Sequence, residues 1–282
     1  MKGYIQAFLY IFVISFSTVW VSHLGDNISI PLLLFGVSIV AMLFFNLIRL
    51  RYIIKNHQTI VKSPFLWLSM TISMLLVWWC SYYTAVHASA SFSLAILFLW
   101  QAIVAAIVKK RRFVVSLSLV IWFLIYWLAP DATPLTLVTA TLSGIMAYLY
   151  YYGSLAYAKR HDMTALDILT IRFYPICLFS LIYIVIDVHR KVALYTNSTI
   201  QQVVMVLLLL GLINMVLPNF CSQNSVQNIG AEQFSFITTF IPPFTFLIQG
   251  VFLGTWSISL LVACILTSII LNIDVCVKYA FR

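Results

Sequence analysis

Residues 91–112 read SFSLAILFLWQAIVAAIVKKRR. Residues 91–108 carry no charge and then meet four consecutive cations, Lys109 to Arg112. A helix that crosses a hydrocarbon core of about 30 Å needs roughly 20 apolar residues, so this stretch has the length of a membrane span with a cationic stop at one end. The same pattern extends through the chain. Of 282 residues, 63% are hydrophobic and 8% charged, against roughly a quarter charged in an average soluble protein. Sixteen Lys and Arg with seven Asp and Glu cannot cover a water-soluble particle of this size, which excludes a soluble fold and a separate soluble enzyme domain.

Working outward from 91–108, apolar stretches separated by charged, Pro- or Gly-containing breaks fall at 4–22, 30–48, 64–86, 113–129, 134–156, 165–186, 201–219, 232–253 and 257–275, giving ten candidate spans. The sequence therefore predicts an all-α membrane protein of ten transmembrane helices. Pro31 and Pro64 open their spans, where a missing N–H costs nothing. Pro175, Pro218, Pro242 and Pro243 lie in or at the ends of later spans and are expected to kink or interrupt them. The first run follows only Lys2 and carries no small-residue cleavage pattern, so it reads as a retained helix.

Lys and Arg set the orientation. With a cytoplasmic N-terminus, that side collects Lys2, Arg49, Arg51, Lys55, Lys62, Lys109 to Arg112, Lys159, Arg160, Lys278 and Arg282, which are thirteen; the other side has Arg190 and Lys191. Both termini are then cytoplasmic. Small-residue turns about 140 residues apart, Ala88-Ser89-Ala90-Ser91 and Gly230-Ala231, each lead into a span. Five spans per half make the second copy enter the membrane from the opposite side. The chain is thus expected to hold two inverted repeats, 1–129 and 130–282.

Several side chains are candidates for function. Trp78 and Tyr82 share one helix face and Trp79 and Tyr83 the other. Together with Trp100, Tyr148 and Tyr150 to Tyr152 they offer rings either to a central pathway, as stacking and cation–π surface, or to an interfacial belt. Arg172 sits seven residues into its span, about 10 Å along the axis. There it holds a carboxylate or phosphate through its planar fork, snorkels, or pairs with Asp167. Asn219, Ser222, Gln223, Asn224, Gln227 and Asn228 crowd the end of span eight and either line a wet pathway, with Gln223 and Asn224 in the binding site, or form a loop. Gln101 is flanked by apolar residues on both sides. Glu232 opens span nine and suits its helix N-terminus, with a role in coupling as the alternative; Asp274 and Lys278 suit an i,i+4 pair. The five cysteines lie within or at the ends of apolar runs, without disulfide or metal-ligand spacing. No cofactor or metal is expected, no catalytic set is visible, and the cations are loop signals and not a nucleic-acid surface. The partners expected are a small-molecule substrate and the lipid bilayer; the sequence leaves the oligomeric state open, a monomer included.

The chain resembles the drug/metabolite transporter superfamily in its ten-helix branch. The resemblance rests on Phe16-Ser17-Thr18, Ala85-Val86-His87-Ala88-Ser89-Ala90, Leu99-Trp100-Gln101-Ala102 and Phe240-Ile241-Pro242, together with span count and repeat length. The Leu-Trp pair is similar to the aromatic amino acid exporters of that superfamily. Gln101 or Ala102 stands where the family commonly has Pro, and Thr255 where many members have Glu. The resemblance implies a bacterial-type inner-membrane transporter, not an enzyme, working by alternating access and favouring export, with amino acids, aromatic or amphipathic, as the leading substrates. The alternative is uptake or exchange of a phosphorylated or cationic metabolite. Small proton-coupled exporters of this superfamily carry a Glu in their first helix; span one here has no acid, which disfavours proton antiport by that route.

Overall fold

The computed structural model describes residues 2–280 other than Pro130 and Asn197, with the backbone only at 223, 226, 227, 230–232, 235, 236, 271 and 273–280. The side-chain roles read for Gln223, Glu232, Asp274 and Lys278 lie outside the described residues. Every apolar run is helical, and local chemistry sets the ends. Helix α1 spans Lys2–Leu24 and α2 Ile30–Ile48, the latter with Pro31 in its first turn. A 3-10 turn at Leu50–Tyr52 leads into the short α3, Ile53–Lys62, and α4 runs Pro64–His87. Helix α5, Ala90–Val108, opens on Ser89, whose hydroxyl accepts the Phe92 amide. Next come α6, Arg112–Leu128, and α7, Pro134–His161. Reciprocal capping boxes start α8, Ala165–Ile171, at Thr164 and Asp167, and α10, Ile200–Leu210, at Thr199 and Gln202. Between them lies α9, Tyr174–His189. A π-turn, Gly211–Val216, joins α10 to α11, Leu217–Thr238. The chain closes with α12, Ile241–Leu253, and α13, Ile258–Ala280.

Two boundaries differ from the sequence reading. The seventh stretch is divided at Arg172 and Phe173, because Pro175 in the first turn of α9 has no N–H to continue the α8 ladder. The break placed at 220–231 is absent: α11 continues through the amide-rich segment to Thr238, and the interruption falls just ahead of Pro242 and Pro243. The backbone at 230 and 231 continues the helix; two successive prolines open a new one.

Among the described residues, six helical segments are long and apolar enough to cross a membrane: Lys2–Leu24, Ile30–Ile48, Pro64–His87, Ala90–Val108, Ala165–His189 and Ile200–Ser222. Arg112–Leu128, Ile241–Leu253 and Ile258–Ile270 are shorter apolar helices. Extended pairing among the described residues is limited to one bridge between Ile28 and Tyr195. The fold is that of an all-helical, multi-pass membrane protein.

The helices form two compact units. One comprises Met1–His23, Cys80–Ile145 and Cys221–Arg282, the other Leu24–Trp79 and Met146–Phe220. Each draws on both halves of the sequence. In the first, α5 packs on α6, α12 and α13, and α13 also packs on α6 and α12. Phe92, Ala95, Ile96, Leu99 and Ile103 lie at helical spacing on one face of α5 and meet Ile121, Ile125, Phe246 and Cys264. Lipid is as apolar as these side chains, so close packing and interhelical hydrogen bonds hold such helices together. Gln249 Oε1 on α12 accepts from the Ser91 amide at 3.1 Å and hydroxyl at 2.8 Å. Thr245 donates to Ser15 at 2.8 Å. Gly144 allows α7 to touch α5, since a Cβ there would lie 2.5 Å from the Leu97 carbonyl oxygen.

In the second unit α2 is central and packs on α8, α9, α10 and the π-turn. Gly211 makes the last contact, because a Cβ there would stand 2.6 Å from Val40 Cβ. Asn46 donates to the Thr170 carbonyl at 3.1 Å, and Arg49 pairs with Asp167 at 3.2 Å. These bonds fix α8 against the end of α2.

Candidate functional site

The chain break after α8 leaves Arg172 at a helix end, with φ −94° and ψ −18°, and turns its side chain into the second unit. The residue is 1% exposed. One guanidinium nitrogen donates to the Tyr150 hydroxyl on α7 and another to Asn219 Oδ1 in the first turn of α11. The charge also lies over two rings, 4.9 Å from the Phe173 centroid and 5.5 Å from that of Tyr150. Asn219 is oriented in turn by donating to the Met215 carbonyl of the π-turn. The wider turn frees backbone geometry there and shifts the face on which following residues fall, as π-turns do at many functional sites.

Charge is what this arrangement leaves open. All named partners of Arg172 are neutral, and among the described residues no carboxylate lies within 4 Å of it. Asp167, the pairing partner considered from sequence, is engaged instead by Arg49, by Asn56 at 3.2 Å and by Thr164 at 2.6 Å. Arg172 Nε is buried and has no hydrogen-bond partner among the described residues. A desolvated cation with neutral neighbours and a free donor can gain strongly from an incoming anion, because charge-assisted bonds strengthen where water is excluded.

The residues named from sequence are divided between the units. Trp78, Tyr148 and Arg172 belong to the second, and the first two are half-buried; Tyr82, Trp100, Gln101 and Asn224 belong to the first. Tyr82 is 3% exposed. Trp79, on the neighbouring face to Trp78, packs on Phe179 and Tyr183 of α9 at 5.0 and 4.9 Å. Trp100 stands edge-on to Trp122 at 5.8 Å, with its indole N–H buried and unpartnered among the described residues. Gln101 Oε1 is buried and unpartnered in the same sense. Asn224 is half-buried and its carbonyl accepts from the Asn228 amide at 2.7 Å.

Two residues of the Arg172 cluster were not singled out by sequence. Tyr150 sits in a run with Tyr151 and Tyr152 that fits an interfacial belt, yet Tyr150 is 8% exposed while Tyr151 and Tyr152 are 41% and 69%. Asn219 was one of six polar residues near the end of span eight, with nothing to separate it from Gln223 or Asn224. Among the described residues, no group of three or more His, Cys, Asp or Glu is placed to hold a metal ion. No protein-family model matches the chain, and no curated protein matches it either.

Proposed function

We propose that the chain is a transporter of small organic anions or zwitterions, of the drug/metabolite type, with amino acids as the leading substrates and export as the direction. The buried Arg172, held by neutral acceptors and carrying an Nε unpartnered among the described residues, carries this reading. Its fork would hold the substrate carboxylate, and Trp78, in the same unit, would supply an aromatic surface to the rest of the solute. Tyr150 and Asn219 keep the fork in place when the site is empty. A cationic metabolite fits poorly beside a permanent buried charge, whereas a phosphorylated one fits the same fork. Catalysis has no part in this reading.

The ten-span, inverted-repeat organisation of residues 1–129 and 130–282 belongs to the same proposal. It is supported by which helices touch: α2 packs on α9, α5 on α12 and α6 on α13, each the counterpart of the other under a five-span repeat. Such pairing is what a two-fold relation between halves produces, and alternating access follows naturally from it.

Counterflow into proteoliposomes tests the function. Vesicles preloaded with an aromatic amino acid should accumulate the labelled compound from outside, and a phosphorylated solute should exchange weakly. Exchange confined to phosphorylated solutes would keep Arg172 as the anion site and replace the amino acid assignment; exchange of neither class would remove the transport reading.

A further inference from the structure

Helix α3 is folded with its polar side inward. At about 100° per residue, Asn56 and Thr59 fall on one face, and both are buried. Asn56 donates to Asp167 at 3.2 Å and to Thr170 at 3.3 Å, while Thr59 accepts from the Tyr157 hydroxyl at 2.8 Å. Polar contacts with α7 and α8 thus anchor α3 to the rest of the unit. The opposite face is apolar and uncovered: Ile54 is 71% exposed and Val61 82%. With Ile53, His57 and Gln58 these two line a shallow open groove of about 450 Å³. Lys55 and Lys62, both exposed, lie on one flank between the two faces.

Ten residues reach only about 15 Å, half the thickness of a hydrocarbon core, so α3 does not span. It joins two helices that do, Ile30–Ile48 and Pro64–His87, at an end that also carries Arg49 and Arg51. An apolar strip flanked by lysines is the pattern of a helix lying in a lipid interface. We propose that the outer face of α3 docks on an anionic phospholipid leaflet, with Ile53, Ile54 and Val61 against acyl chains and Lys55 and Lys62 on the phosphate headgroups. Charge complementarity selects this occupant: the chain has a formal net charge of +9, and lysines beside an apolar strip match acidic headgroups over chains. A second copy of this chain would bring the same lysines together and be opposed by them.

The test uses Val61→Cys carrying a bimane label, with the unsubstituted protein as labelling background, in mixed phosphatidylcholine and phosphatidylglycerol vesicles. One lipid at a time carries bromine on its acyl chain as quencher. Quenching should occur with both, but at equal mole fraction be about threefold or more stronger from brominated phosphatidylglycerol, since each lysine near an anionic surface adds a several-fold bias. The preference should fall towards unity in high salt and in the Lys55→Gln/Lys62→Gln double variant, whose unchanged melting curve shows that it is folded. Equal quenching by the two lipids in the parent overturns the headgroup assignment. Absence of quenching from either, with energy transfer between labelled copies, overturns the lipid assignment and gives the face to a second copy.

Discussion

A guanidinium ion ringed by a hydroxyl, an amide oxygen and two aromatic faces keeps its whole charge, so Arg172 should matter for what it binds more than for holding the fold. Arg172→Ala is expected to abolish counterflow while leaving folded protein in detergent, and Arg172→Lys to restore little, because an ammonium cannot reproduce a fork shared between Tyr150 and Asn219. Full transport by the alanine variant would falsify the site. Tyr150→Phe leaves the cation one acceptor short, and the loss of a hydrogen bond to a charged group should lower stability by about 2 kcal/mol, a deficit that a saturating anionic ligand should reduce in a melting experiment. At Trp100 the size of the effect depends on how much is removed. Among the described residues its N–H has no partner to lose, so Trp100→Phe should cost little. Trp100→Ala should cost about 3–5 kcal/mol by leaving a hole beside Trp122, with ligand affinity unchanged if the ring serves packing alone. A drop in affinity without a drop in melting temperature would return Trp100 to the substrate.

Among the elements, the π-turn has the narrowest tolerance. Gly211→Ala places a methyl 2.6 Å from Val40 Cβ, so α2 and the turn must separate. Melting in detergent should show a loss of about 1–3 kcal/mol, partly recovered in the Gly211→Ala/Val40→Ala pair because the two sites are in contact; a single variant as stable as the parent would mean that the helices do not meet there. The helices themselves were legible in the sequence, because apolar length and proline placement are local properties: Pro31, Pro64 and Pro175 each sit in a first helical turn or at its start. Arg172 was legible for the same reason, as a lone charge in an apolar run. Its partners were not. Tyr150 and Asn219 lie 22 and 47 residues away, each among similar neighbours, and only packing decides which tyrosine or amide turns inward. The π-turn was equally hidden, since Gly211–Val216 differs in hydrogen bonding and not in composition. The inward polar face of α3 escaped because a short segment with Lys55, Asn56, His57, Gln58 and Lys62 reads as a loop when its tertiary partners, Asp167 and Tyr157, are distant in the chain.

For the whole molecule, orientation rests on the uneven distribution of Lys and Arg. A cysteine placed at Lys110 should react with impermeant reagents from the cytoplasmic side alone, and one at Asp131 from the opposite side alone; both residues are exposed. Labelling of both from the same side would take away the α6 crossing and the inverted repeat with it. The bond from Gln249 to Ser91 has a consequence for biosynthesis. Its two ends are 158 residues apart, and at 5–20 residues per second the ribosome needs roughly ten to thirty seconds to make the intervening chain. During that interval α5 is already in the bilayer with the hydroxyl and amide of Ser91 lacking their acceptor. The nascent first half can pack α5 on α6 but waits with this bond unmade. The α5–α12 contact is added only when α12 leaves the insertion machinery.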